Sequence, residues 1–212
     1  MSSEEPSFEG LVLAGGKSCR MGRDKAMLKT GDQTWLDHQV QVLREAGCRR
    51  VRVATRQGVA PAMPGYDLLY DRSPDQGPLE PIAHGLCTLR ESHLVVLAVD
   101  LPMMIPDFIR ELMGRCDFVR GCVPKTAKGW EPLAAVYGHT LSSMASNHLA
   151  RKILSIRDLV DSGIGANLLL PLELDDAAQS IVLNVNHPSD LPDRALRSAR
   201  DPEISSHGLP PN

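Results

Sequence analysis

The stretch Leu11 to Leu28, LVLAGGKSCRMGRDKAML, decides how this chain is interpreted, because an apolar segment runs directly into a loop rich in glycine and basic residues. Gly15 and Gly16 lack a Cβ, so the backbone can bend sharply there and bring several N–H groups against an anion. Arg20 and Lys25 add two positive charges at the far side of the loop, which favours a nucleoside triphosphate over a neutral ligand. The stretch therefore predicts a buried strand followed by a phosphate-binding loop.

Two common phosphate-binding patterns do not fit this loop. Gly16-Lys17-Ser18 looks like the end of a P-loop, but a P-loop requires glycine at position 11, where this chain has leucine. A dinucleotide-binding fingerprint requires a second glycine where Lys17 stands. The pattern that remains is A-G-G-x-S-x-R-M-G-x-D-K, from Ala14 to Lys25. The alternative without a ligand is an ordinary turn from a strand into a helix.

This pattern resembles the nucleotide-binding signature of the MobA-like nucleotidyltransferases, and most closely that of the molybdenum cofactor guanylyltransferases. The resemblance implies a three-layer, Rossmann-like α/β fold with a mostly parallel sheet. It implies transfer of GMP from GTP to the phosphate of molybdopterin, with release of pyrophosphate. Related cytidylyltransferases and sugar-nucleotide pyrophosphorylases usually have Ala-Ala-Gly here, so the double glycine favours the guanylyl branch. The nucleotide-binding residues implied in this loop are Leu13, Ala14, Gly15, Gly16, Arg20 and Lys25.

Apolar runs alternate with segments of helical period along the chain, a pattern typical of a parallel sheet with helices on both faces. Trp35 begins one apolar helix stripe, which Gly47 ends. We expect strands over 11–14, 50–55, 67–70, 93–99, within 117–140 (the second at 132–137) and 180–185. We expect helices over 35–46, 81–90, 106–114, 141–149 and 156–161, and a last one from near Pro188. At least one strand between 117 and 140 is expected to be antiparallel.

The size and charge of the chain favour a small soluble protein with a single domain. Its 212 residues fit one α/β domain, which we place at 8–197, with disordered ends at 1–7 and 198–212. A net charge of -3 gives no basic surface for nucleic acid. The acidic first residues lack the features of a signal peptide, and no apolar run is long enough to span a bilayer, so we expect a cytoplasmic protein that contacts no membrane.

Asp100 is the candidate metal ligand. It directly follows the apolar run LVVLAV, and open α/β sheets bind their ligands at the carboxyl ends of their strands. Val99-Asp100-Leu101-Pro102 resembles the family's Cys-Asp-x-Pro, whose aspartate binds Mg²⁺, with Mn²⁺ as a substitute. One carboxylate with triphosphate oxygens is a sufficient magnesium site. The alternative is an aspartate that only caps a helix or forms a turn.

The segment Asp71 to Leu79, DRSPDQGPL, resembles the family's D-x-x-P-x-x-G-P-L, in which the aspartate helps to place the nucleotide. Gly77 and Pro78 are expected to open a helix whose amide donors point at the ligand. Relatives commonly continue with Ala-Gly, whereas this chain has Glu80-Pro81. A changed acceptor and a plain helix start explain this departure equally well.

Two weaker resemblances and one departure from the family lie elsewhere. Glu131-Pro132-Leu133 is similar to a Pro-Leu element of the family, and Asn184-Val185-Asn186 to its Asn-x-Asn. Those two asparagines either orient phosphate, pterin or metal-bound water, or cap the last helix. Some relatives place a nucleotide-binding Asn near the second strand, where this chain has Ala54-Thr55, so base recognition by that route is in doubt. His84 and His93 show no metal spacing and are interpreted as structural.

The implied reaction needs few catalytic groups. A phosphate monoester has a second pKa near 6, so the acceptor is already a nucleophile at neutral pH. Arg20, Lys25 and Asp100 are therefore the candidate catalytic residues, acting by charge and position. The partners implied are GTP, molybdopterin and proteins that synthesise or receive the molybdenum cofactor. The alternatives are a CTP-dependent transferase, a transferase with another phosphorylated acceptor, and a non-catalytic module that delivers the cofactor.

Overall fold

The computed structural model describes residues 5–14, 25–30, 32–55, 66–72 and 76–185. The strands are β1 (Phe8–Leu13), β2 (Lys29–Thr30), β3 (Gln33–Thr34), β4 (Val51–Thr55), β5 (Asp67–Tyr70), β6 (His93–Ala98), β7 (Gly121–Thr126), β8 (Gly129–Trp130), β9 (Ala134–Gly138) and β10 (Leu169–Glu173). The helices are α1 (Trp35–Ala46), α2 (Leu79–Cys87), α3 (Pro106–Arg115), α4 (Ser142–Ala150), α5 (Ile156–Gly165) and α6 (Asp176–Gln179). Short 3₁₀ turns cover Lys25–Met27 and His139–Leu141.

One mixed, mostly parallel sheet forms the centre of the described structure. Its strand order is β10-β7-β9-β6-β1-β4-β5, and β8 pairs with β7. The strand β1 lies between β4 and β6 and is parallel to both, with Leu13 opposite Ala54 and Ala98. The strand β9 runs antiparallel to β6 and β7, which confirms the expected antiparallel strand. The α/β fold class expected from the sequence is therefore correct.

Helices cover both faces of the sheet, because alternate residues of each central strand point to opposite sides. In β1, Val12 packs on the side of α1 and α3, and Leu11 packs on the side of α2, α4 and α5. Both of these side chains are fully buried. The sheet is thus the middle of three layers, and loops rather than helices lie at the ends of its strands.

The helix α1 is the element that the sequence predicts best. Thr34 caps its start by accepting a hydrogen bond from the Asp37 N–H, and Gly47 ends it at φ +107°, a left-handed conformation that suits glycine. Trp35 is 1% exposed, and its indole N–H donates to Thr30 Oγ1 over 2.9 Å. The amphipathic stripe, the Thr34 cap and Gly47 all indicate the same helix, and the predicted bounds 35–46 are confirmed.

The last predicted strand is wrong. Residues 180–185 form a turn and irregular chain after α6, although Val182 and Val185 are buried. The edge strand is instead β10, which pairs in parallel with β7. Pro171 lies in the middle of β10, where it removes one backbone donor and disguises the strand in the sequence. An edge position tolerates that loss.

Several other predictions fall partly or wholly outside the described residues. The helix expected from near Pro188 and the tail at 198–212 lie there, as do residues 1–4. Ser7 is described, and its backbone N–H donates to Ser92 Oγ over 2.8 Å. In the described part of the chain, none of the helices is both long enough and apolar enough to cross a membrane.

Candidate active site

The carboxyl ends of β1, β4, β5 and β6 meet at one edge of the sheet, which we call the carboxyl edge. Backbone hydrogen bonds join the chain just beyond these strands: the Ala14 N–H donates to Ala54 O over 3.1 Å and the Asp71 N–H to Thr55 O over 3.1 Å. The Val99 N–H donates to Leu13 O over 3.2 Å. The start of the glycine loop, Asp71 and the residue before Asp100 are therefore fixed at one edge, where α/β sheets bind ligands.

The glycine loop begins at this edge. Leu13 ends β1 and is 8% exposed, and Ala14 follows it. Gly15, Gly16 and Arg20 lie outside the described residues, as does the side chain of Lys25.

The loop returns to the core at its far end. The backbone of Lys25 opens a 3₁₀ turn, and the next residue, Ala26, is 3% exposed in the core layer that α1 shares. The loop is thus tied to the fold at both ends, one at the edge and one against α1.

Asp100 lies immediately beyond β6 and is partly buried. Its carbonyl accepts a hydrogen bond from the Val185 N–H over 2.9 Å, so the segment around Asn184 comes to the same place. Asn184 is exposed, and Asn186 lies outside the described residues. The structure thus brings together two sequence motifs that are far apart in the chain.

The oxygen donors around Asp100 suit a hard cation whose other ligands are mostly water and substrate oxygens. A carboxylate at Asp100 and an amide oxygen at Asn184 are oxygen donors of the kind that Mg²⁺ and Mn²⁺ prefer. In the described ranges there is no group of three or more His, Cys, Asp and Glu side chains that could hold an ion by themselves. An aspartate carboxylate and an amide oxygen fit a metal whose other ligands are triphosphate oxygens and water.

The start of α2 also points towards the carboxyl edge. Gly77 has φ +66°, a conformation that favours glycine, and turns the chain into Pro78 and the helix. Pro78 is the N-cap of α2 and makes no side-chain cap hydrogen bond, and the first backbone N–H groups of the helix belong to Leu79 and Glu80. Gly77 and Pro78 thus lead into the helix as expected, while residues 73–75 of the D-x-x-P-x-x-G-P-L segment lie outside the described residues.

Glu80 lies in the first turn of α2 and is 5% exposed. Its Oε1 accepts a hydrogen bond from the Arg72 N–H over 3.1 Å, whereas its Oε2 is buried without a hydrogen-bond partner in the described part of the chain. Burial raises the pKa of the Glu80 carboxyl, and the neighbouring Asp71 carboxylate raises that pKa further. This contact gives a third explanation for the Glu80-Pro81 departure, beside a changed acceptor and a plain helix start. The Glu80 side chain binds the loop that carries Asp71.

Glu131 also faces the carboxyl edge. It precedes β9, and the chain there runs beside the end of β6, where the Ala98 N–H donates to Leu133 O over 2.8 Å. Thr126 Oγ1 donates to Glu131 Oε1 over 3.3 Å. Burial raises the pKa of the Glu131 carboxyl, while the Thr126 hydrogen bond lowers it. The side chain is thus held towards β7.

Sequence reasoning missed one contact of the site. His84, which the sequence alone identifies only as a structural residue, has a ring that faces the Tyr70 carbonyl, directly before Asp71. The i,i+4 spacing of Glu80 and His84 is the signal that could have found it, because such residues share one face of a helix. Nothing in the sequence says which loop that face meets.

Comparison with known proteins finds relatives over most of the chain. The family model described as the MobA-like NTP transferase domain matches residues 10–163. A protein of Opitutus terrae named "Probable molybdenum cofactor guanylyltransferase" is 32% identical over 193 residues, 90% of this chain and 96% of the relative.

Solved structures with low sequence identity share the fold. Molybdopterin-guanine dinucleotide biosynthesis protein A of Archaeoglobus fulgidus has a TM-score of 0.66 at 19% identity, over 90% of this chain and 96% of that one. Rv0371c of Mycobacterium tuberculosis in complex with manganese has a TM-score of 0.57 at 19% identity, over 80% and 89%. The matched family model covers most of the sheet and the whole carboxyl edge up to Asp100, and the chain belongs to the MobA-like NTP transferase family.

Proposed function

We propose that this protein transfers GMP from GTP to the terminal phosphate of molybdopterin and releases pyrophosphate. The observation that carries the proposal is the meeting of four sequence motifs at the carboxyl edge: the glycine loop after Leu13, Asp71, Asp100 and the Asn184 segment. Family membership and the name of the Opitutus terrae relative support the same reaction. The double glycine Gly15-Gly16 favours GTP over CTP as the donor.

The triphosphate is held by the loop between β1 and the turn at Lys25. The amides of Gly15 and Gly16 and the charges of Arg20 and Lys25 bind the β- and γ-phosphates. Asp71 and the uncapped start of α2 at Gly77 and Pro78 bind the nucleoside part. The positions of Leu13, Asp71 and α2 at one edge support both groups of contacts.

Asp100 holds Mg²⁺, with Mn²⁺ as a substitute, and Asn184 and Asn186 assist in placing the acceptor or its bound water. The manganese complex of a protein with the same fold agrees with a divalent ion. When bound, the ion neutralises charge on the phosphates and polarises the α-phosphate. The protein side of the site supplies the carboxylate that places this charge.

The chemistry is an in-line displacement. One oxygen of the acceptor phosphate forms a bond to the α-phosphorus of GTP while the bond to the bridging oxygen of the β-phosphate breaks, and pyrophosphate leaves. No side-chain base is needed, since the acceptor is already ionised at neutral pH. Arg20 and Lys25 stabilise the charge that grows on the leaving pyrophosphate.

The reaction takes place in the cytoplasm, with proteins that synthesise the cofactor or receive it as partners.

The identity of the nucleotide donor and that of the acceptor are tested together by incubating the protein with each of the four nucleoside triphosphates, Mg²⁺ and molybdopterin. Mass spectrometry identifies the nucleotide joined to the pterin, and a coupled assay measures pyrophosphate. Guanine dinucleotide with stoichiometric pyrophosphate is the expected product. A cytosine dinucleotide, or binding of GTP without pyrophosphate release, would contradict the proposal.

A further inference from the structure

The face of α2 that meets the end of β5 carries two polar side chains one helical turn apart. Glu80 Oε1 accepts a hydrogen bond from the Arg72 N–H over 3.1 Å, and the ring of His84 interacts with the Tyr70 carbonyl. Tyr70 and Arg72 are the two neighbours of Asp71 in the chain. Glu80 therefore binds the backbone directly after the residue that is expected to bind the nucleotide, and His84 faces the backbone directly before it.

A third contact completes this arrangement. The Asp71 N–H donates to Thr55 O over 3.1 Å, which extends the pairing of β5 with β4 by one residue. That bond fixes Asp71 within the plane of the sheet, and the two contacts from α2 fix it from the helix layer. The position of Asp71 is thus determined from two directions, which is what a precise ligand contact requires.

Glu80 is buried and His84 is partly buried, and each has a polar side-chain atom that is shielded from solvent. Glu80 is 5% exposed, and its Oε2 is buried with no hydrogen-bond partner among the residues that the structure describes. His84 Nδ1 is also buried and has no hydrogen-bond partner among the described residues. Burying polar groups that are only half satisfied costs free energy, and an apolar residue would fill either position of α2 without that cost. Retaining them implies a gain elsewhere, and each has its one described side-chain contact beside Asp71.

The charges around the pair are mixed. Asp71 and Arg72 act on Glu80, and Arg72 and Arg52 act on His84. Burial, followed by the charges of Arg72 and Arg52, lowers the pKa of His84 below its ordinary value, so the ring is neutral at physiological pH. A neutral ring can still donate one N–H to the Tyr70 carbonyl.

We propose that Glu80 and His84 form a backbone clamp that positions Asp71 for the nucleotide. They are positioning residues, because each acts through the chain on either side of Asp71. The inference rests on the proposed function only in that Asp71 binds the nucleotide; the clamp itself is a property of the protein without ligand. It accounts for the Glu80 that stands where relatives commonly have alanine.

The first test measures nucleotide binding and turnover separately. Glu80→Gln keeps an oxygen that can accept from the Arg72 N–H, so it should keep the parent KM for GTP within about twofold. Glu80→Ala removes the acceptor and should raise that KM by about tenfold while kcat at saturating GTP stays near the parent value. Thr88→Ala is the matched control, because Thr88 also supports α2, through Arg52 and the His84 carbonyl, but is remote from Asp71. It should leave KM unchanged.

The second test asks whether Glu80 acts through Asp71. In a double-mutant cycle, Asp71→Ala and Asp71→Ala/Glu80→Ala should have the same KM for GTP. Glu80 affects KM only by positioning the Asp71 side chain, and that side chain is absent from both variants. Additive effects of the two changes would overturn the inference. So would an unchanged KM in Glu80→Ala, or a Glu80→Gln protein that is as impaired as Glu80→Ala.

The third test needs no activity. Hydrogen exchange of the Arg72 amide in the ligand-free protein should be about tenfold faster in Glu80→Ala than in the parent or in Thr88→Ala. If the parent makes no guanine dinucleotide but this exchange difference appears, the proposed function fails and the clamp stands. If the parent is active and Arg72 exchanges at the parent rate in Glu80→Ala, the clamp fails and the function stands.

Discussion

The carbonyl of Asp100 accepts a hydrogen bond from the Val185 N–H over 2.9 Å, which joins the end of β6 to the chain that follows α6. Val185 is 2% exposed and belongs to the core layer of α1 and α3. A buried anchor thus carries the Asn184 segment to the metal-binding aspartate of the proposed site. Parts of the site that are remote in sequence depend on one another at this contact.

Removing the Asp100 carboxylate should abolish most turnover. Asp100→Asn keeps the volume and the carbonyl that binds Val185, so the fold should remain, while the rate of dinucleotide formation should fall by about 10²- to 10³-fold. Asp67→Asn is the matched control, because Asp67 lies at the opposite end of the sheet, where it pairs with Arg50. Parent activity in Asp100→Asn at ordinary Mg²⁺ would be incompatible with the proposed metal ligand.

Lys25→Ala should have a similar effect on turnover without changing the core. The backbone of Lys25 starts the 3₁₀ turn that leads into the buried Ala26, and alanine is compatible with that turn. Loss of its charge should lower kcat/KM for GTP by about 10²-fold, since one electrostatic contact to the leaving phosphates is removed. The measurement is steady-state release of pyrophosphate, with thermal unfolding as the control for folding. An unchanged kcat/KM would remove Lys25 from the catalytic group.

The Glu80 carboxyl should make stability depend on pH in a defined direction. Its folded-state pKa is raised above the ordinary 4.5, so the folded protein holds this proton more tightly than the unfolded chain does. The stability this provides is fully present below pH 4.5 and is lost as the pH rises through the folded-state pKa. Glu80→Gln has no such proton, so its free energy of unfolding relative to the parent should increase with pH across that window. Urea titrations of both proteins at several pH values measure the difference, and a flat or falling difference would contradict the assignment.

The buried pair of Arg52 and Glu9 should be essential to stability as a pair. Both side chains are almost fully buried, Arg52 also donates to Gly85 O over 2.9 Å and to Thr88 Oγ1 over 2.7 Å, and the two charges are in contact. Arg52→Met leaves the buried Glu9 carboxyl with only the more distant Arg50 guanidinium, 4.0 Å from its Oε1 among the described ion pairs, and should lower the free energy of unfolding by about 3 kcal/mol.

Its control is the double variant Arg52→Met/Glu9→Leu, which removes both charges. It should recover most of the loss, because apolar side chains of similar volume often replace a buried ion pair without cost. Urea unfolding measures both variants. Equal destabilisation of the single and double variants would show that the hydrogen bonds of Arg52, rather than the lone charge, decide its effect.

Local signals in the sequence predicted much of the fold. The bounds of α1 and β5 were correct, since α1 has a cap, an apolar stripe and a terminal glycine, and β5 is a short apolar run between turns. The placement of Asp100 after a central strand was also correct. These features depend on residues that are close in the chain.

What the sequence could not predict depends on partners that are distant in the chain. The apolar run at 180–185 resembles β10 in composition, but among the described residues it is β10 that pairs with β7. Pro171 obscured that strand. The contacts of Glu80 and His84 with the chain around Asp71 were missed for the same reason, because they depend on how α2 packs against β5.

A basic surface at the opposite edge of the sheet is the alternative place where a triphosphate could bind. A cavity of about 390 Å³ lies there between the end of α1 and the starts of β4 and β5, and Arg44, Arg49 and Arg50 line it. Asp67 pairs with Arg50 and Glu91 with Arg49, so part of this positive charge is already neutralised. Phosphate should therefore prefer the carboxyl edge.

The most direct measurement is a crystal structure of the protein with a non-hydrolysable GTP analogue and Mg²⁺. The triphosphate should lie against the loop of Gly15 and Gly16, within hydrogen-bonding distance of Arg20 and Lys25, with the ion bound to the Asp100 carboxylate. A triphosphate bound in the arginine cavity at the other edge, or one remote from Lys25 and Asp100, would contradict the account.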